Sequence, residues 1–129
     1  MTEIYTKFSD KGFEILAFPC NQFLNQEPYD DAWIKKFAQS YGATYPLFHK
    51  IDVNGDNAHD VFRFLRRDSK LYDPVTNTVG EISWNFGKFL VGEDGKVIDY
   101  YLPNANLPEI TTRIEGLLGL TPNATISAQ

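Results

Sequence analysis

At 129 residues the chain fits one domain, since a typical unit runs to about 100–200 residues. With 43% hydrophobic and 22% charged residues, and with 10 Phe, 7 Tyr and 2 Trp, it has the composition of a globular core rather than of a disordered or coiled-coil chain. A net charge of −5 argues against a nucleic-acid partner, because neutralising phosphates takes clustered Lys and Arg and the one basic cluster, Arg63, Arg66 and Arg67, is small.

The single cysteine, Cys20, cannot form an internal disulfide, so a reducing, cytoplasmic compartment is expected rather than a secreted disulfide scaffold. No apolar run is long enough to span a bilayer, and residues 1–12 lack the basic-then-apolar layout of a signal peptide, so a soluble chain is expected. Without an export signal the sequon Asn123-Ala-Thr125 is read as carrying no meaning.

In chain order, Ile4 and Phe8 stand one helical turn apart and Gly12 follows, which reads as the end of an amphipathic helix over residues 3–11. Phe13 to Phe18 is apolar on both alternating faces after Glu14, the pattern of a strand covered on both sides as in a parallel sheet, and Pro19 ends it. Cys20 to Tyr29 is polar and holds Pro28, so it reads as a loop leaving the strand's carboxyl end, where active sites of open α/β sheets lie. Asp30 and Asp31 favour a helix start, and Trp33/Ile34, Phe37/Ala38 and Tyr41 follow at helical spacing before Gly42.

Pro46 to Ile51 reads as a second strand and Val53 to Asp56 as a turn. Asp56 or Asn57 then caps a helix with Ala58, Val61, Phe62 and Leu65 facing inward. Asp68 to Gly80 is expected to be loop, Phe86–Val91 and Lys96–Tyr100 a hairpin about Gly92–Gly95, and Pro108 the opening of a last helix with Ile110, Ile114, Leu117 and Leu118 inside. Residues 1–120 thus form one α/β unit with parallel strands followed by an antiparallel pair, and residues 121–129 a frayed tail.

Chemistry-bearing signals are sparse. Asp52-Val53-Asn54-Gly55-Asp56 has alternating oxygen ligands like a calcium loop, but Asn57 stands at the required glycine and Arg63 at the bidentate acid, so a turn is the better reading. His49 and His59 are too few and too isolated for a metal site, and no phosphate loop or Ser-His-Asp pattern occurs. Cys20 is the one side chain able to be a good nucleophile at neutral pH; a small buried hydrophobe is the commoner role of a free cysteine. Gln26, Asn85 and the Trp84 indole could donate hydrogen bonds to an anion or developing oxyanion, although each also suits an ordinary loop position.

Three segments carry a resemblance. Phe18-Pro19-Cys20-Asn21-Gln22-Phe23 with Gln26-Glu27-Pro28 closely resembles the FPCNQF-x-x-QEP signature of glutathione peroxidases. Lys50 to His59 resembles the family's KIDVNG-x-x-AH element, and Trp84 to Val91 its WNF-x-KFLV element. The likeness runs from about Ile4 to Leu118.

It implies a thioredoxin-like α/β sandwich with a mixed sheet. It also implies an oxidoreductase that reduces hydrogen peroxide and organic or lipid hydroperoxides in the oxidative-stress response, with glutathione or thioredoxin as reducing co-substrate and with no cofactor or metal. The catalytic residues carried over are Gln26, Trp84 and Asn85, which should converge at the sheet's carboxyl edge.

The family's nucleophile lies in a V-A-S-x-C/U-G-x-T element upstream of the FPCNQF cysteine, and counting back from Cys20 places it before Met1. The peroxidatic Cys or Sec and the first core strand are therefore expected to be missing, through a reading frame begun downstream of a selenocysteine stop codon or through genuine truncation.

Phe37-Ala38-Gln39-Ser40, where thioredoxin-using members often carry a resolving cysteine, has none, which favours glutathione for the full-length form. The short Arg67–Trp84 loop resembles monomeric members that accept lipid hydroperoxides, so a monomer is expected, with association through an exposed strand edge as its hazard. Two alternatives stand beside this reading: a non-enzymatic fragment with a binding or regulatory role, and Cys20 as substitute nucleophile.

Overall fold

The computed structural model describes residues 1–120. Helix α1 (Thr2–Phe8) continues as a 3-10 turn over Ser9–Lys11 and stops at Gly12, whose φ of 87° is the left-handed conformation that glycine adopts without strain. Helix α2 spans Asp31–Ser40, α3 Asp60–Arg67 and α4 Leu107–Leu117, with Pro108 in the first turn of α4. Strands β3 (Lys88–Val91) and β4 (Val97–Tyr101) form the expected antiparallel hairpin, with a register irregularity between Leu90 and Val91. A frayed tail over residues 121–129 was expected; it lies outside the described residues.

The hairpin is the middle layer because its side chains alternate. Phe89 and Tyr100 pair across the strands, rings 4.8 Å apart, and pack on one face with buried Cys20, Phe23, Val53 and Ile82. Leu90 and Tyr101 point to the other face, where Ile4 and Phe8 of α1 meet Ile110 and Ile114 of α4. A Lys7–Glu115 ion pair at 2.5 Å joins the two helices at the surface. Phe62 of α3 lies edge-on to both Phe18 (5.3 Å) and Phe89 (6.1 Å), so the chain around residue 18 and β3 share one helical cover.

Four expectations are corrected. Phe13–Phe18 and Pro46–Ile51 run parallel but form a single bridge, Ala17 to Leu47, rather than two regular strands of a mixed sheet. Ala17 N–H donates to Pro46 O (3.0 Å) and Phe48 N–H to Ala17 O (2.9 Å). The next rung in each direction would need an N–H from Pro19 or Pro46, which proline lacks. Lys50 N–H turns instead to Asp31 Oδ1 (2.8 Å), and Ile15 N–H to Glu14 Oε1 (2.9 Å). The named strands of the described residues accordingly pair antiparallel.

The cap of α3 is His59, whose Nδ1 accepts from Val61 N–H (3.1 Å), not Asp56 or Asn57. A bridge between Asp52 and Ala58, closed by His59 N–H to Asp52 O (2.8 Å), holds those residues in the preceding turn, and Val61 then faces solvent. Within the expected 68–80 loop, β1 (Tyr72–Asp73) pairs with β2 (Thr78–Val79) in a short hairpin. On α2 only Ile34 is buried; Trp33, Phe37 and Tyr41 are exposed, with Tyr29, Trp33 and Phe37 stacked in series at 4.0 and 5.0 Å and Tyr41 tilted 53° to Phe37 at 5.1 Å.

Candidate functional site

The loop after Cys20 folds back on itself. Phe23 is buried as its anchor, and Leu24 and Asn25 take left-handed φ values of 53° and 52°. Gln26 N–H then returns to Phe23 O (3.3 Å), and Asn21 Oδ1 accepts from Glu27 N–H (2.9 Å). At the far end Asp30 caps α2 by accepting from Trp33 N–H (2.8 Å). Asp31 binds both Lys50 N–H and His49 Nδ1 (2.9 Å); these bonds, the backbone one first, hold its carboxyl below the usual carboxylate range.

The second half of the site precedes β3. Ile82 is buried, Trp84 is 38% exposed, Asn85 is half-buried, and Phe86 has a φ of 67°. Such φ values in Leu24, Asn25 and Phe86, none a glycine, mark strain on both sides of one place. Gly87 follows in a tight place, where a Cβ would stand 3.1 Å from Ile82 Cγ2 and 3.4 Å from the Tyr100 hydroxyl.

Two of the three expected site residues meet directly. Asn85 Nδ2 donates to Gln26 Oε1 at 2.8 Å across 59 residues of chain, at the surface. Trp84, next to Asn85, lies against the Phe23 ring at 5.9 Å. The Asn85–Gln26 bond itself leaves the Gln26 amide nitrogen and the second Asn85 N–H as donors. A cleft of about 610 Å³ opens on the Trp84 side, lined by Gln22, Phe23, Asn54, Ile82 and Trp84 among others but not by Gln26 or Asn85. Another of about 460 Å³, at Asp99, Tyr101 and Arg113, belongs to the α4 side of the hairpin.

Cys20 stands apart from that pair. It is 8% exposed, its Sγ is 3.4 Å from Gln22 Oε1, and burial pushes its thiol pKa up, which disfavours the reactive thiolate. Both histidines have structural partners, His49 with Asp31 and His59 at its cap. Among the described residues no group of three or more His, Cys, Asp or Glu could hold a metal ion, and no helix is long and apolar enough to cross a membrane.

The family model for glutathione peroxidase matches residues 1–66. The chain belongs to the glutathione peroxidase family. It is 47% identical to the hydroperoxy fatty acid reductase of Synechocystis sp. over 89% of this chain and 69% of that protein. It is 44% identical to the glutathione peroxidase homolog BsaA of Bacillus subtilis, over 92% of this chain and 72% of that protein. The probable phospholipid hydroperoxide glutathione peroxidase of Mesembryanthemum crystallinum is 46% identical, over 92% of this chain and 68% of that protein.

Among solved structures, that of Trgpx in apo form superposes with a TM-score of 0.67 at 30% identity, covering 92% of this chain and 67% of that one. That of T. cruzi GPX1 gives 0.64 at 32% identity, over 92% and 68%. The fold of this glutathione peroxidase family member is thus thioredoxin-like, as its three sequence elements implied.

Reading the sequence left out the polar side chains beneath the site. Asn54 reads as a turn residue; it is buried, and binds Ile82 through both Oδ1 (from Ile82 N–H, 2.9 Å) and Nδ2 (to Ile82 O, 2.8 Å). Arg66, expected in a surface basic cluster, is buried and gives Nη1 to Val53 O (3.1 Å) and Nε to Gly80 O (3.0 Å).

Proposed function

We propose that Gln26, Trp84 and Asn85 form the donor side of a site that reduces hydrogen peroxide and organic or lipid hydroperoxides with a thiol as reductant. The supporting observation is the 2.8 Å Asn85–Gln26 hydrogen bond, which joins two of the three residues across the chain, with Trp84 next to Asn85 in sequence, in a chain of this family. The names of the relatives, a hydroperoxy fatty acid reductase and phospholipid hydroperoxide peroxidases, favour lipid hydroperoxides among the substrates.

The V-A-S-x-C/U-G-x-T element is not among the 129 residues, so the attacking thiolate or selenolate is taken to come from outside them. It attacks one peroxide oxygen; the O–O bond breaks, a chalcogen–OH forms, and the other oxygen leaves as hydroxide or alkoxide, taking up one proton. The three donors stabilise the anionic nucleophile and then the charge on the departing oxygen. Two equivalents of glutathione, or one thioredoxin dithiol, return the chalcogen–OH to thiol or selenol with release of water.

The test has two arms. The 129-residue chain alone should turn over peroxide at free-thiol background in a coupled assay. With the family's nucleophile segment restored at the N-terminus it should be active, and Gln26→Ala or Asn85→Ala should cost on the order of 10²-fold in kcat/KM. Unchanged kcat/KM in both variants overturns the site, and turnover of the chain alone that vanishes in Cys20→Ser moves the nucleophile to Cys20.

A binding role for the chain as given is the second reading. What favours it is strand edge unpaired among the described residues: β3 pairs there with β4 alone, and Ala17 with Leu47 in a single bridge. Concentration-dependent sedimentation without peroxidase activity would support it.

A further inference from the structure

We propose that Gln22 and Asn54 are positioning residues that hold the Trp84–Asn85 loop in register with Gln26. The proposal rests on the peroxide-site reading above and adds what keeps that site assembled. Gln26 and Asn85 lie in separate loops, each next to left-handed residues, and the bond between them is exposed, so water competes for it. Something else has to fix the two loops.

Beneath them runs a continuous polar chain. Gln22 Oε1 accepts from Val53 N–H (2.8 Å) and Asn54 N–H (3.0 Å), and Gln22 Nε2 donates to Asn54 O (2.8 Å). Asn54 in turn grips both backbone groups of Ile82, two residues before Trp84. Gln22 is four residues before Gln26, so the two side-chain clamps and the Gln26–Asn85 bond close a ring through three chain segments. Arg66 braces the lower side, joining Val53 O to Gly80 O. Asn54 and Ile82 are buried, so losing the clamp takes from the Ile82 N–H and C=O the partners that fix the loop before Trp84, and the loop is free to move.

The alternative is that the clamp serves stability alone. Trp84 separates the two. In a Trp33→Phe background it is the sole tryptophan of the chain, and acrylamide quenching then reads the exposure of its indole. Asn54→Ala and Gln22→Ala should each raise the quenching constant by about twofold and shift the Asn85 side-chain amide resonances. Ile110→Ala, in the cluster on the other face of the hairpin, should lower the urea midpoint while leaving both signals in place.

Unchanged quenching and Asn85 shifts in a folded Asn54→Ala or Gln22→Ala protein overturn the proposal, as does an Ile110→Ala protein that moves them equally. Hydrogen exchange of the unmutated protein tests it without any variant. The Ile82 amide should exchange at least ~10-fold more slowly than those of Ser83 and Trp84, and equal rates overturn the clamp. None of these readouts needs turnover, so a clamp that holds beside Gln26→Ala and Asn85→Ala proteins of full activity would sink the peroxide-site reading and leave the clamp standing.

Discussion

Cys20 shows how an environment sets what a side chain can do. The FPCNQF motif draws the eye to a thiol, yet its sulfur is buried among Phe23, Val53, Ile82 and Tyr100, with its pKa raised chiefly by desolvation. Alkylation by iodoacetamide at neutral pH should therefore track unfolding, with a rate that rises along the urea transition. Fast labelling of the native protein would contradict the burial. The sign with pH follows. A folded pKa above the unfolded one means that the thiol's contribution to stability is complete below about 8.5 and fades as pH rises through the folded value. The urea midpoint should fall more between pH 8 and pH 10 in the unmutated protein than in Cys20→Ala.

Among the elements, helices were legible and parallel strands were not. Helix α1, the α2 start and the β3–β4 hairpin follow from Ile4/Phe8 spacing, the paired aspartates and the glycines of the turn, all local signals. Asp30→Ala should cost about 1 kcal/mol in a urea titration, the usual worth of a side-chain N-cap. Asp31 contributes in the opposite pH direction to Cys20. Its folded pKa is depressed, so its share of stability is present above the unfolded value near 3.9 and is lost as pH falls through the folded one. Apolar runs marked Phe13–Phe18 and Pro46–Ile51 as strands, but no apolar pattern reports that Pro19 and Pro46 withhold the N–H groups of the rungs next to their single bridge. The candidate site divides likewise. Gln26, Trp84 and Asn85 came from motif likeness, whereas Asn54 and Arg66 act through tertiary bonds to distant carbonyls and amides, which leave no local trace.

At the scale of the molecule, two apolar clusters flank one hairpin, and residues 13–18 reach both: Phe13 packs with Phe8 below, and Phe18 with Phe62 above. Leu16 between them is 56% exposed, beside a chain edge that among the described residues forms one bridge, Ala17 to Leu47. Fusing a strand with the sequence of the family's first core strand to the N-terminus should raise the urea midpoint and suppress concentration-dependent sedimentation, because it supplies hydrogen bonds and apolar cover to a fold whose net stability is expected to be about 5–15 kcal/mol. Equal midpoints, with both forms monomeric, would show that the chain closes its own edge.

The stacked rings on α2 give the molecule an optical signature. Trp33 lies between Tyr29 and Phe37, almost parallel to Phe37 at 11° and tilted 24° from Tyr29, with Tyr41 continuing the series. Chromophores held at fixed offsets in a chiral array couple their transitions, so α2 should dominate the near-ultraviolet circular dichroism, and Trp33→Phe should remove most of it while leaving the far-ultraviolet spectrum intact. Light alone would then follow the detachment of one helix from the rest of the protein.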